Sequence, residues 1–119
     1  MRLMRLALTA AVLGLLTAAP AQAALPKLVG TDGPGFTITL TKSGTKVTKL
    51  KAGRYTFVIN DKSSFHSYGL DGPKGFAKDF TSVPFKGTKT ATVKLNPGKY
   101  KFYCSAHESS MFGFFTVKS

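Results

Sequence analysis

From Ala24 onward, apolar residues recur at every second position, and no segment sustains a 3.6-residue period. Phe36, Ile38 and Leu40 alternate with Thr37 and Thr39. Tyr55, Phe57 and Ile59 form a second set, Ala91, Val93 and Leu95 a third, and Tyr100, Phe102 and Cys104 a fourth. Side chains along a strand point alternately to its two faces, so each set marks one inward strand face. Turn chemistry separates the sets: Asp32-Gly33-Pro34-Gly35, Ser43-Gly44, Ala52-Gly53, Asp71-Gly72-Pro73 and Asn96-Pro97-Gly98. Strands and turns at this spacing predict an all-β chain folded as an antiparallel sandwich or barrel. Between Asp71 and Gly87 the alternation lapses while Phe76, Phe80, Pro84 and Phe85 remain, which reads as a long crossover packed by its phenylalanines.

One internal echo stands out. Leu50-Lys51-Ala52-Gly53-Arg54-Tyr55-Thr56-Phe57 returns 45 residues later as Leu95-Asn96-Pro97-Gly98-Lys99-Tyr100-Lys101-Phe102. Both copies describe a strand end, a tight glycine turn and a new strand with inward aromatics. With only two copies, the reading is two related hairpins of one domain rather than a solenoid.

Ahead of the strands, Met1 to Ala23 has the layout of a secretory signal peptide. Arg2 and Arg5 precede an apolar run from Leu6 to Leu16, and Ala21-Gln22-Ala23 offers a small-x-small cleavage site. The apolar run is well short of the ~20 residues that a membrane span needs. Residues 24–119 then form the single domain, 96 residues long, and the chain is expected in the periplasm, outside the cell or in the cell envelope. The formal charge of +12, from 17 Lys and Arg against 5 Asp and Glu, falls to +10 without Arg2 and Arg5. Such a balance suits nucleic acid or an anionic surface. Export argues against nucleic acid, and most lysines fall on the polar side of strands or in turns, where they keep sheets soluble. One Cys excludes an internal disulfide, and no nucleophile is accompanied by its base, so an enzyme is not expected.

The residues with metal-binding chemistry are grouped. Cys104, His107 and Met111, the only Met after residue 23, fall within eight residues of Tyr103-Cys104-Ser105-Ala106-His107-Glu108-Ser109-Ser110-Met111-Phe112-Gly113. A thiolate, an imidazole and a thioether form a soft donor set that suits copper rather than Mg²⁺ or Ca²⁺. His66, the other histidine, is the one remaining imidazole. Glu108 reads as a solvated loop residue, and Phe65, Phe112, Phe114 and Phe115 as core.

Cys-x-x-His followed shortly by Met, x-Gly and a final strand, with an isolated His about forty residues upstream, resembles the cupredoxins. The likeness is to the small single-domain blue copper proteins of the plastocyanin, pseudoazurin and amicyanin type. The lead-in Leu95-Asn96-Pro97-Gly98-x-Tyr100-x-Phe102-x-Cys104 is also similar. The resemblance implies a Greek key β-sandwich of about seven to eight strands. It also implies one type 1 copper ion held by His66, Cys104 and His107, with Met111 as a long axial ligand. In that family Ala106 would be Pro, and Ser67 would be an Asn that ties the two ligand loops together. The three residues between His107 and Met111 are a spacing between the family's shorter and longer loops. The implied function is one-electron transfer, Cu(II) to Cu(I) and back, with electrons leaving through His107 and an apolar patch. A redox partner with an acidic patch, contact with an anionic cell surface, and a monomeric state are expected. Two other readings stay open: a copper carrier that does not cycle, and a metal-free sandwich that binds an anionic surface.

Overall fold

The computed structural model describes residues 23–119, together with residues 9–11 and 14. Apart from those few positions, the leader predicted over Met1–Ala23 lies outside the described residues. Among the described residues no helix is long and apolar enough to cross a membrane. The described residues hold ten strands in two five-stranded sheets, β1 Lys27–Asp32, β2 Ile38–Lys42, β3 Thr45–Lys46, β4 Lys49–Lys51, β5 Gly53–Asp61, β6 Tyr68–Asp71, β7 Ala77–Thr81, β8 Gly87–Leu95, β9 Gly98–Tyr103 and β10 Phe112–Lys118. The first sheet runs β3-β2-β1-β5-β8 and the second β4-β10-β9-β6-β7. The predicted sandwich is therefore present. Most pairs are antiparallel, but β1 with β5 and β10 with β4 run parallel. The strand number exceeds the expectation partly because β3 and β4 are only two and three residues long.

The core lies between the sheets. Leu28, Leu40, Phe57 and Ile59 face it from the first, and Tyr68, Leu70, Tyr100, Phe102, Phe115 and Val117 from the second. Stacked pairs fill it, Tyr100 with Phe115 at 5.2 Å and Phe57 with Phe80 at 5.0 Å between ring centroids. Such contacts add to the burial of large apolar area.

β1 was not legible from alternation, because its inward residues are Leu28, Gly30 and Asp32. Gly30 is required there: a Cβ would lie 2.7 Å from the Tyr68 ring. The stretch from Asp71 to Gly87 is also more ordered than a crossover. It holds a 3-10 turn, Pro73–Gly75, and then β7, which pairs with β6. Phe80 is buried as expected. Phe36, Phe65, Phe112 and Phe114 are not core residues: they are 68%, 74%, 45% and 45% exposed, and of the group at 112–115 only Phe115 is buried.

The sequence echo marks two corners rather than two hairpins. At Ala52-Gly53 the chain leaves the second sheet for the first, and at Pro97-Gly98 it leaves the first for the second. Gly53 and Gly98 take φ of 152° and 146°, a region that L side chains rarely enter. Each corner is closed by a tyrosine: Tyr55 Oη donates to the Lys51 carbonyl at 2.6 Å, and Tyr100 Oη to the Asn96 carbonyl at 2.9 Å. These are the tyrosine corners found in sandwich folds.

Candidate metal centre

β5, β9 and β10 each meet a loop at the same end of the sandwich, and these loops carry the metal-binding residues. Cys104 follows β9 directly, with its side chain fully buried. A 3-10 turn, Ser105–His107, then folds the chain back, with the His107 N–H donating to the Cys104 carbonyl at 3.1 Å. The three-residue gap closes as one further turn. Met111 N–H donates to the His107 carbonyl at 2.8 Å, and Cys104 N–H to the Met111 carbonyl at 3.0 Å. Met111 is fully buried yet is not part of the contiguous hydrophobic core.

The second loop brings in His66, 97% buried, after β5. A backbone carbonyl and a buried carboxylate brace its start. Lys62 N–H donates to the Asp32 carbonyl at 2.9 Å, and Ser63 N–H to Asp61 Oδ1 at 3.1 Å; His66 N–H then donates to the Ser63 carbonyl at 3.2 Å. Asp32 and Asp61 are register partners on β1 and β5. Both carboxyl oxygens of Asp32, and Asp61 Oδ2, meet no N–H donor or hydroxyl. Burial first, then the hydrogen bond and charge of Asp61, push the Asp32 carboxyl up to about 8. A proton on Asp32, donated to Asp61 Oδ2, would pair one oxygen of each group.

Three donor atoms converge. His66 Nδ1 lies 3.1 Å from His107 Nδ1, and Cys104 Sγ lies 3.9 Å from the first and 3.7 Å from the second. A triangle with those edges has a circumradius of about 2.1 Å, close to the length of a bond from imidazole to a first-row metal ion. The hollow among these atoms thus fits a single ion held equally by all three. Two imidazoles and a thiolate suit copper by softness. His66, Cys104 and His107, predicted as ligands, are brought together as one cluster.

Ser67 ties the loops. Its Oγ accepts from the Ser105 N–H at 2.9 Å and lies 2.8 Å from Ser105 Oγ, and its N–H points at Cys104 Sγ at 3.4 Å. An N–H aimed at a thiolate stabilises its charge and fixes its direction. On the far side of the loop, Tyr103 Oη donates to Asp71 Oδ1 at 3.1 Å, and burial with the neighbouring carboxylates pushes this phenol up to about 12.

Alternation missed the part played by the loop at residues 33–37. Phe36 stands edge-on to both imidazoles, 5.5 Å from His66 and 4.9 Å from His107 between centroids. Gly33, at φ 68°, passes so close to His66 that a Cβ would lie 3.1 Å from the ring. The Gly-Pro-Gly turn was visible in the sequence, but its contact with a histidine thirty residues away was not. Pro34, Phe36, Phe65, Val83 and Ala106 surround a shallow apolar hollow over the metal site, reached by His66 and His107.

No protein-family model and no curated protein sequence matches the chain. Solved structures do. A reduced Cu(I) form of an amicyanin mutant superposes with a TM-score of 0.53 at 17% identity, covering 82% of this chain and 88% of that one. A rusticyanin mutant superposes with a TM-score of 0.50 at 22% identity, over 77% and 76% of the two chains. The two-sheet architecture is thus shared with amicyanin and rusticyanin, and the chain has the cupredoxin fold.

Proposed function

We propose that the chain is an exported type 1 copper protein that carries single electrons between redox partners and is not an enzyme. The observation that carries this reading is the donor triangle of His66, Cys104 and His107, sized for one ion. Met111, fully buried beside Cys104, would offer its thioether as a fourth, weaker donor. When bound, copper would supply a one-electron couple between Cu(II) and Cu(I).

The remaining chemistry belongs to the protein. Ser67 and the turn from Ser105 hold the thiolate and both imidazoles in place, so the site need not rearrange when its charge changes by one. Phe36 and the apolar rim keep water from the imidazoles, which strengthens the donors' field. His107 is half-buried beneath that rim and is the outlet for electrons. A partner would seat on the apolar hollow; Lys62 and Lys86, on the loops that carry Ser63 and Val83, would meet acidic residues of that partner.

Copper stoichiometry and the visible spectrum test the reading. One copper per chain, an intense thiolate-to-Cu(II) band and fast reversible reduction are expected, with band and metal lost in Cys104→Ser. A colourless protein that takes only Cu(I) and releases it to a chelator would make the chain a carrier instead. Absence of copper from the wild type would overturn the site altogether.

A further inference from the structure

We infer that the end of the sandwich opposite the metal loops is a docking surface for an anionic phospholipid membrane. The strand directions establish where the charge lies. β1 and β5 run toward the metal end, and their cations stand at their far ends, Lys27 and Arg54. Lys94 pairs with Arg54, and Lys118 ends β10 at the tip away from Met111. Between the edge strands β3 and β4, Lys42, Lys46, Lys49 and Lys51 line one hollow floored by Val47, Leu50 and Tyr55. Lys51 is the register partner of Lys118, which ties this hollow to the same end.

No Asp or Glu side chain stands with these cations. Asp32 and Asp61 are buried at the metal end, Glu108 lies on the metal loop, and Asp79 pairs with Gly69 at the level of Tyr103. Asp71 pairs with Lys101, partway down β9. The one salt bridge among the described residues joins Lys101 to Glu108, so none of the lysines in the hollow is neutralised by an ion pair. Charge is therefore unevenly spread: Lys62, Lys86 and Lys89 near the metal end stand with three of the five acidic residues, Asp32, Asp61 and Glu108, whereas the opposite end holds cations alone.

One further feature selects a bilayer from among anionic partners. Of the exposed phenylalanines that could stack on bases, Phe36, Phe65 and Phe112 belong to the metal end and Phe114 lies partway along β10 under Lys99; none lines the basic hollow, which disfavours a single-stranded nucleic acid there. Mobile lysine ammonium groups without a stacking platform match phosphate headgroups, whose attraction adds up per cation and fades with salt.

The test is cosedimentation of the exported protein with phosphatidylcholine vesicles, with and without roughly a third phosphatidylglycerol. Binding is expected only to the anionic vesicles and only at low to moderate salt. The triple variant K42Q/K46Q/K49Q should weaken it at least about tenfold, and K62Q/K86Q/K89Q, with the same loss of net charge near the metal end, about twofold or less. Both sets are exposed side chains, so both variants should keep the wild-type melting temperature. Equal losses in the two variants would overturn the inference, because net charge would then suffice. Failure to bind anionic vesicles would also overturn it, as would tight binding to an anionic polysaccharide or nucleic acid without binding to vesicles. Copper-free protein should bind vesicles as well as loaded protein does, so failure here is distinct from failure of the copper reading.

Discussion

Replacing Asp32 by Asn should change how stability depends on pH more than any other single substitution. Asp32 is fully buried, and its carboxyl titrates at about 8 against an ordinary 3.8. In the window between those values the folded protein holds a proton that the unfolded chain has released. The contribution of Asp32 to stability is therefore greatest below about pH 4, falls as pH rises, and levels off above about pH 8. The slope cannot exceed about 1.4 kcal/mol per pH unit, so the wild type should lose at most roughly 3 kcal/mol between pH 5 and pH 7. For a domain of this size that amounts to a fall in melting temperature of roughly 10–20 °C. In Asp32→Asn the amide donates permanently to Asp61, which keeps its bond from Ser63, and the fall should largely vanish. The assay is thermal denaturation of copper-free wild type and variant from pH 4 to pH 9, compared as a difference. Parallel curves for wild type and variant would refute the shared proton.

Three further predictions concern the metal end. Met111→Leu keeps the buried volume, so the fold should lose less than about 1.5 kcal/mol. Copper and the thiolate band should remain while the reduction potential rises, because a donor that favours Cu(II) is gone; potentiometry checks this. Ser67→Ala leaves the Ser105 N–H without its acceptor and should lower stability by about 1 kcal/mol and speed copper loss to a chelator, read by denaturation and stopped-flow absorbance. Gly33→Ala meets both a left-handed backbone and the His66 ring, so a loss of at least about 1–2 kcal/mol is expected, with a shifted visible spectrum.

The sandwich was legible where strands bury apolar residues at every second position, as in Tyr55, Phe57 and Ile59. It was illegible where the inward residue answers a specific neighbour. Gly30 makes room for Tyr68, and Asp32 faces Asp61, so β1 lacks the pattern that would announce it. Phe36 shows the opposite error. It keeps step with Ile38 and Leu40 in sequence, but β2 begins only at Ile38, which frees Phe36 to turn toward the imidazoles. The donor residues were legible because Cys104, His107 and Met111 are local, and His66 was the remaining imidazole. The buried carboxyl pair of Asp32 and Asp61 beneath the His66 loop was not, since its members lie 29 residues apart and only the parallel pairing of β1 with β5 joins them.

The two tyrosine corners have a bearing on the metal although neither lies near it. β5 starts at one corner and ends before the His66 loop; β9 starts at the other and ends at Tyr103, one residue before Cys104. The arms that carry these two donors are thus clamped at the opposite end of the molecule, like the legs of calipers set at the pivot. A slip at either pivot would be transmitted along a whole strand to the gap between imidazole and thiolate. Tyr55→Phe or Tyr100→Phe would then broaden the spread of metal geometries, and with it the width of the visible band, from a place no ligand touches.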